Sequence, residues 1–260
     1  LSMLLVLCMA LTLCSAAFAE GKSPVDGMTV AFIPKVSGNS FFEAANDGAQ
    51  KYAADWGLTV DYIGAPTADV TTQLELIQQA IDKGVDAICI SSVDATGLDE
   101  KLQEAQDAGI FVSTWDSDVS PDARALMISQ GTADVLGPML VDMAVDSLTE
   151  RGVDVNGEVK YVWHFSNPSV SDQNSWYVAG DAYIKEKYPS WVAVHDPYYS
   201  NQDPAQSVSV GESILDAYAD VDVIICNDST ALPGQCKAAE NKGLTAKDIT
   251  ITGFCTPSGM

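Results

Sequence analysis

The sequence predicts an α/β protein built from two doubly wound parallel-sheet lobes that face each other across a ligand cleft. Short apolar runs alternate with segments of helical periodicity, a pattern typical of parallel sheets with crossover helices. The helical segments of the first half each end at a glycine, namely Gly57, Gly84 and Gly109. The alternation stops after Asp118 and then resumes. We therefore expect an amino-terminal lobe over residues 26–128 and a carboxyl-terminal lobe over residues 129–260.

The first half contains four predicted strands and three predicted helices. The strands cover residues 28–34, 58–63 and 85–90 and the run that begins at residue 110. The helices cover residues 41–56, residues 71–83 and the segment around Leu102. Asn39 and Ser40 are suited to cap the first helix. An extended piece at 125–129 is expected to cross into the second lobe.

The second half repeats the same architecture. It begins with a long helix around Leu140, and its strands are predicted at 159–165, 191–199, 221–226 and 249–255. Helices are expected at 174–188, after Pro204 and near 232–242. The chain stops soon after a strand, which would leave a sheet face uncovered. We therefore expect the second lobe to be incomplete and the sequence to be truncated at its carboxyl end.

The amino-terminal residues indicate an exported protein, and the net charge disfavours two classes of partner. The formal net charge is −23, from 13 basic and 36 acidic side chains, so nucleic acid and anionic membranes are unfavourable partners. Residues 1–19 are uncharged and apolar and end in Ala17-Phe18-Ala19, as a signal peptide does. The expected location is periplasmic or extracellular. A lipid anchor at Cys14 is less favoured, because the preceding Leu13 is not a small residue.

Neither a metal site nor a catalytic site is indicated. The chain has no CxxC pair and two histidines, and no GxSxG, GxGxxG or complete P-loop motif. Asp116 and Asp172 could be the paired carboxylates of a glycosidase, but nothing in the sequence requires a nucleophile. We expect no catalytic residue, no cofactor and no metal. A disulfide between Cys226 and Cys255 stays open, because pairing cannot be deduced from sequence.

Polar side chains follow most of the predicted strands. They are Lys35, Ser91, Ser92, Asp116, Asp118, Asp172, Gln173, Asn174, Asn227, Asp228 and Ser229. Strand ends of such sheets point to the cleft, so these groups should converge there, with Asp116 and Asp172 coming from opposite lobes. For Asp118 and Asp228 a helix-capping role is favoured.

Three aromatic residues are secondary candidates for ligand contact. Phe41 and Phe42 begin a helix, and Trp115 lies between Thr114 and Asp116 at a strand end. Each could stack on a sugar ring or belong to the core, and the position of Trp115 favours the cleft. Trp176 is expected to pack in the interior.

Several segments resemble the type I sugar-binding proteins of bacterial ABC importers. They are AFIPKVSGNSFF (31–42), TWDSD (114–118), SQGTADVLGPMLVDMA (129–144), NPSVSDQNSW (167–176) and ALPGQCKAAEN (231–241). Within that family the sequence is most similar to members that bind autoinducer-2. The resemblance implies a type I periplasmic binding protein fold, a membrane permease as partner, and the transport of autoinducer-2 or of rhamnose or another small sugar.

The resemblance also implies specific ligand contacts. It assigns them to Lys35, Asp116, Asp172, Gln173, Asn227 and Ser229, with polar side chains at 227 and 229 where the family usually has Pro and Ala. A lysine and carboxylates suit the hydroxyls of a neutral polyol. Arg124 and Arg151 fall outside these motifs, which argues against an anionic ligand and against ribose. We expect a monomer that closes around one ligand; the sensing core of a transcription regulator is the alternative from another class.

Overall fold

A computed structural model of the chain describes residues 23–256. Within them, the first sheet has five parallel strands in the order β2-β1-β3-β4-β5. Its strands are β1 (Thr29–Ile33), β2 (Thr59–Tyr62), β3 (Ala87–Ile90), β4 (Phe111–Trp115) and β5 (Leu126–Ile128). Its helices are α1 (Ser40–Trp56), α2 (Val70–Lys83) and α3 (Asp99–Asp107), followed by the 3-10 turn Pro121–Ala123. The predicted signal peptide and Cys14 lie outside the described residues.

The second sheet is also parallel, in the order β10-β9-β6-β7, and β8 pairs with β6 as well. Its strands are β6 (Lys160–Phe165), β7 (Val192–Ala193), β8 (Tyr198–Tyr199), β9 (Val223–Cys226) and β10 (Thr250–Gly253). Its helices are α4 (Ala133–Glu150), α5 (Ser171–Lys187), α6 (Pro204–Ala217) and α7 (Ala231–Asn241). The predicted fold class, two parallel α/β sheets with crossover helices, is confirmed.

Most predicted elements agree with the structure to within two residues at each end, and two differ by more. The strand expected at 191–199 is split into β7 and β8, because Pro197 between them has no N–H to donate to a ladder. Helix α5 begins at Ser171 instead of Asn174, so Asp172 lies in its first turn, where a carboxylate is stabilised by the free backbone N–H groups. Asp172 and Gln173 are therefore helical residues and not loop residues.

Each sheet is covered by helices on both faces. On the first sheet, Ile77 of α2 and Leu102 of α3 pack against Ile88 of β3, while Phe42 of α1 packs on the opposite face. On the second sheet, α4 and α5 cover one face and α6 and α7 the other. The carboxyl ends of the strands are left free on each sheet, as the doubly wound arrangement requires.

Two general findings limit the chemistry of the described residues. No helix within residues 23–256 is long and apolar enough to span a bilayer. Four cysteines in that range, Cys89, Cys226, Cys236 and Cys255, are free thiols, so the bridge between Cys226 and Cys255 is not formed.

Candidate functional site

Asp116 follows strand β4 in an unusual backbone conformation. Its φ is +62°, in the left-handed region that residues other than glycine rarely adopt. The turn is held because the Asp116 N–H donates to the Ile128 carbonyl at 3.0 Å, and Trp115 bridges to Ser117. Strain of this kind occurs mainly at functional sites, where the surrounding structure holds it in place.

Lys35, Asp116 and Asp172 form a buried ionic group, which we call the ionic triad. Lys35 follows β1, and its Nζ lies 2.9 Å from Asp116 Oδ2 and 3.2 Å from Asp172 Oδ1. The exposed fractions of the three residues are 3%, 6% and 9%. Asp172 lies on α5 beside the second sheet, so the triad joins the two halves of the protein. The predicted meeting of Asp116 and Asp172 is therefore seen in the structure.

Neutral donors complete the hydrogen bonding of the triad. Ser91 donates to Asp116 Oδ2 at 2.7 Å, and the Gln130 side-chain amide donates to Asp116 Oδ1. The Ser117 hydroxyl donates to Asp172 Oδ1. Each carboxylate thus accepts from the lysine and from at least one uncharged group, as buried charges require.

The pKa values in the triad follow from burial and from the neighbouring charges. Burial raises the pKa of Asp172 to about 6, with Lys35 opposing the rise and Asp116 adding to it. Burial disfavours the charged form of Lys35, but Asp116 and Asp172 outweigh it and raise the lysine pKa above its usual range. The lysine stays charged at neutral pH, and the ionised triad carries a net charge of −1.

The strand ends of the second sheet supply a second polar group. Gln173 Oε1 accepts from the Ser166 N–H at 3.1 Å, and the Gln173 carbonyl accepts from Asn227 Nδ2 at 2.7 Å. Asp228 caps α7, because its Oδ1 accepts from the N–H groups of Thr230 and Ala231 at 2.7 and 2.8 Å. The capping role expected for Asp228 is present, and burial raises the pKa of this carboxyl.

Asn39 connects helix α1 to the loop before α7. Its Oδ1 accepts from the Phe41 N–H at 2.9 Å, which is the predicted helix cap. The same oxygen accepts from the Ser229 hydroxyl at 3.2 Å, and Asn39 Nδ2 donates to Thr230 Oγ1 at 3.0 Å. Ser229, a candidate ligand contact, is thus also part of a direct contact between the two halves.

The triad and its neighbours line a partly open cavity of about 200 Å³. Eight of the nine residues proposed from the sequence line it, namely Lys35, Phe41, Phe42, Asp116, Asp172, Gln173, Asn227 and Ser229. The ninth, Trp115, is not in the lining: its ring stacks on Phe32 with a centroid distance of 4.7 Å and meets Phe42 at 5.7 Å. Trp115 therefore packs behind the aromatic wall of the cavity.

Other lining residues were not among the nine candidates for ligand contact, although Asp228 was among the polar groups expected near the cleft. They are Gln130, Leu136, Trp176, Gln202, Asp228, Phe254 and Cys255. Trp176 packs against Phe254, as an interior residue was expected to, but it also faces the cavity. The sequence did contain a signal for this: Trp176 lies four residues after Asp172 on α5, and residues four apart share a helix face, so both should face the cavity.

Asp118 and the two arginines lie away from the cavity. The Arg124 guanidinium pairs with Asp118 at 2.8 Å, so this carboxylate forms an ion pair in place of the expected helix cap. Arg151 donates to the Asp222 and Asp248 carbonyls near β9 and β10. Among residues 23–256, no group of three His, Cys, Asp or Glu side chains is arranged to hold a metal ion.

Comparison with known proteins places this geometry in context. A family profile described as a periplasmic binding protein domain matches residues 30–260. LsrB from Clostridium saccharobutylicum, solved in complex with AI-2, is 59% identical, with a TM-score of 0.89; the match covers 90% of this chain and 72% of that chain.

Two further relatives are more distant. A solute-binding protein from Clostridium phytofermentas with bound L-rhamnose is 25% identical, covers 90% of this chain and 70% of that chain, and has a TM-score of 0.83. The fructose import binding protein FruE of Bifidobacterium longum (strain NCC 2705) is 24% identical over 92% of this chain and 72% of its own length. The relatives thus include binders of several small polyhydroxylated molecules.

Proposed function

Because the chain belongs to the periplasmic binding protein family, we propose that it binds autoinducer-2 (AI-2) between its two sheets and delivers it to an ABC importer. The observation that carries the proposal is the ionic triad of Lys35, Asp116 and Asp172. It joins both halves of the protein at the wall of the cavity. The similarity to an LsrB solved with AI-2 supports this ligand over other polyols.

The charge of the cavity favours a neutral ligand. The lining contains one cation, Lys35, which already faces two carboxylates. Arg124 and Arg151 are both engaged elsewhere, so no guanidinium is available to balance an anion such as a borate diester. Hydrated cyclic AI-2 is a tetrahydroxylated tetrahydrofuran without charge, and hydroxyls can both donate to the carboxylates and accept from the lysine.

The proposed contacts are sufficient for tight binding. Lys35, Asp116, Asp172 and Gln173 would contact ligand oxygens, with Asn227 and Ser229 on the side of the second sheet. Charge-assisted hydrogen bonds contribute roughly 1.5–3 kcal/mol each. Four of them would supply about 6–12 kcal/mol before ordering costs, which is compatible with micromolar or tighter affinity. Phe41 and Phe42 would cover the apolar face of the ring.

The remaining features of the proposal follow from the family and the sequence. The protein acts outside the cytoplasm after removal of residues 1–19 and as a monomer, and a lipid anchor at Cys14 is the less favoured form. Its partner is the permease of the importer, and the net charge of −23 makes nucleic acid an unfavourable partner. The protein binds its ligand and releases it unchanged, so neither a catalytic residue nor a cofactor is part of the proposal.

Calorimetric titration of the protein with AI-2, L-rhamnose and D-ribose tests the ligand assignment. We expect heat from AI-2 with 1:1 stoichiometry and none from ribose. Heat from L-rhamnose without heat from AI-2 would instead support the second candidate, a binding protein for rhamnose or another small sugar. That candidate is favoured by the similarity to the L-rhamnose-bound protein of Clostridium phytofermentas.

A further inference from the structure

The two sides of the cavity differ in how far their hydrogen-bonding groups are already paired. On the side of the first sheet, both Asp116 oxygens accept hydrogen bonds or an ion pair within the protein. On the side of the second sheet, two buried amide oxygens, Gln202 Oε1 and Asn227 Oδ1, have no hydrogen-bond partner among residues 23–256. Both residues line the cavity.

Asn227 is fixed with its oxygen as the free acceptor. Its Nδ2 donates to the Gln173 carbonyl at 2.7 Å, which sets the orientation of the amide. The residue is 1% exposed, so bulk water does not supply a donor to the Oδ1 atom. A buried acceptor left in this state raises the free energy of the protein until a donor reaches it.

Gln202 is held at the cavity by a strained turn. It follows β8, and both Asn201 and Gln202 have left-handed backbones, with φ of +51° and +56°. The turn is anchored because Asn201 N–H donates to the Ser166 carbonyl at 2.9 Å, and Asp203 caps α6 immediately after it. Asn tolerates this conformation, but glutamine rarely adopts it, so the strain lies at Gln202. The strain brings a side chain with 7% exposure to the cavity wall.

We propose that Gln202 is a specificity-determining residue whose Oε1, together with Asn227 Oδ1, accepts hydrogen bonds from ligand hydroxyls. The inference rests on the proposed function, because it assigns these oxygens to the same cavity. The pair selects ligands that present two hydroxyl donors toward the second sheet. A ligand with a methyl or hydrogen there leaves the acceptors unpaired and binds more weakly. Asp228 also lines the cavity: its Oδ1 accepts from the N–H groups at the start of α7, and its buried Oδ2 has no hydrogen-bond partner among residues 23–256, so this oxygen can accept from the same ligand.

Substitution at position 202 separates ligand recognition from structural support. Gln202→Met keeps the length of the side chain and removes the acceptor, and Gln202→Glu keeps an acceptor oxygen in place. Gln79→Met, on the exposed face of α2, is the matched control. We expect Gln202→Met to weaken AI-2 binding about tenfold in calorimetry, which is the effect of losing one buried hydrogen bond. Gln202→Glu should stay within about threefold of the wild type, and the control should be unchanged.

The melting temperature of the ligand-free protein is the second readout. An unpartnered buried acceptor contributes nothing to the fold, so Gln202→Met should melt at the same temperature as the wild type or higher. A lower melting temperature with proportionate loss of binding would show a structural role and overturn the proposal, as would unchanged binding by Gln202→Met.

The wild-type titrations separate this inference from the ligand assignment. If the wild type binds L-rhamnose and not AI-2, the assignment fails, and the same comparison of variants with L-rhamnose decides the role of Gln202. If the wild type binds neither probe, both proposals are contradicted.

Discussion

Lys35 and Asp172 lie 137 residues apart in the sequence and in opposite halves of the protein, yet the lysine Nζ is 3.2 Å from the carboxylate Oδ1. One belongs to the loop after β1 and the other to the first turn of α5. A ligand that bonds to either residue is therefore next to the other half of the protein. This contact links binding to the relative position of the two sheets.

Removing the lysine should destabilise the fold as well as abolish binding. Lys35→Met leaves Asp116 and Asp172 as adjacent buried carboxylates without a cation, and we expect a loss of about 3 kcal/mol in the free energy of unfolding by urea. Lys83→Met is the control, because its ion pair with Asp61 is exposed at the surface, and it should cost less than about 1 kcal/mol. If both variants lost the same free energy of unfolding, burial of the triad would not explain the cost of removing Lys35.

Ligand affinity should fall at acid pH. The pKa of Asp172 is raised by burial to about 6, so this carboxyl gains a proton as the pH falls below that value. A protonated carboxyl is a poor acceptor of hydrogen bonds from ligand hydroxyls. The dissociation constant of the ligand should therefore rise about tenfold as the pH falls from 7 to 5. Calorimetry across this range measures the effect. In Asp172→Asn, where the titrating group is gone, the remaining affinity should not vary with pH in this way.

His164 should make the protein less stable at low pH. It is buried on β6, its Nδ1 lies 3.0 Å from Gln235 Oε1, and burial lowers its pKa to about 4. Between pH 6.5 and 4 the unfolded chain binds the proton and the folded protein does not, so the free energy of unfolding falls as the pH falls. The contribution is about 3 kcal/mol over this range.

Comparison with His164→Gln isolates that contribution. The stability advantage of the wild type over the variant should shrink by this amount between pH 7 and pH 4, because all other groups titrate alike in both proteins. A constant difference in urea unfolding would contradict the prediction.

The contact of Asn39 with the second half should slow ligand release. Asn39→Asp keeps the oxygen that caps α1 and loses the amide that donates to Thr230. It should release ligand faster in stopped-flow measurements while its unfolding free energy stays near that of the wild type. Asn39→Ala loses the cap as well and should be less stable by about 1 kcal/mol. If Asn39→Asp released ligand at the wild-type rate, the contact would have no part in retention.

Helices α4 and α5 cross at a pair of glycines, which gives a packing prediction. A Cβ at Gly180 would lie 2.8 Å from the Trp163 ring and 3.0 Å from the Gly137 carbonyl. Gly180→Ala should therefore reduce the unfolding free energy by about 1–3 kcal/mol. Gly48→Ala in α1, with open space around the added methyl, should stabilise by about 0.5–1 kcal/mol. If thermal unfolding showed that both substitutions stabilise the protein, or that both destabilise it, this account would be contradicted.

The sequence predicted those parts of the site that depend on topology. Asp116 follows a buried strand and Asp172 belongs to a segment that resembles the family, and parallel strand ends bring such residues to one edge. The cap at Asn39 was also predictable, because it depends on residues two positions apart.

Long-range pairing and backbone strain could not be predicted in this way. The second partner of Asn39, Thr230, is 191 residues away and has no local signal. Gln202 reaches the cavity through two left-handed residues; Asn201 is compatible with such a turn, but Gln202 does not mark it as a glycine would. The stacking of Trp115 on Phe32 likewise depends on which face of β4 the helix α1 covers.

The most direct test of the ionic triad as a ligand site is calorimetric titration of AI-2 into Asp116→Asn and Asp172→Asn. Each variant loses one charged acceptor without a change in side-chain size, and Asp55→Asn on the exposed end of α1 is the control. We expect each triad variant to bind at least about tenfold more weakly than the wild type, as the loss of a charge-assisted hydrogen bond implies, and the control to bind normally. Wild-type affinity in both triad variants would contradict the account.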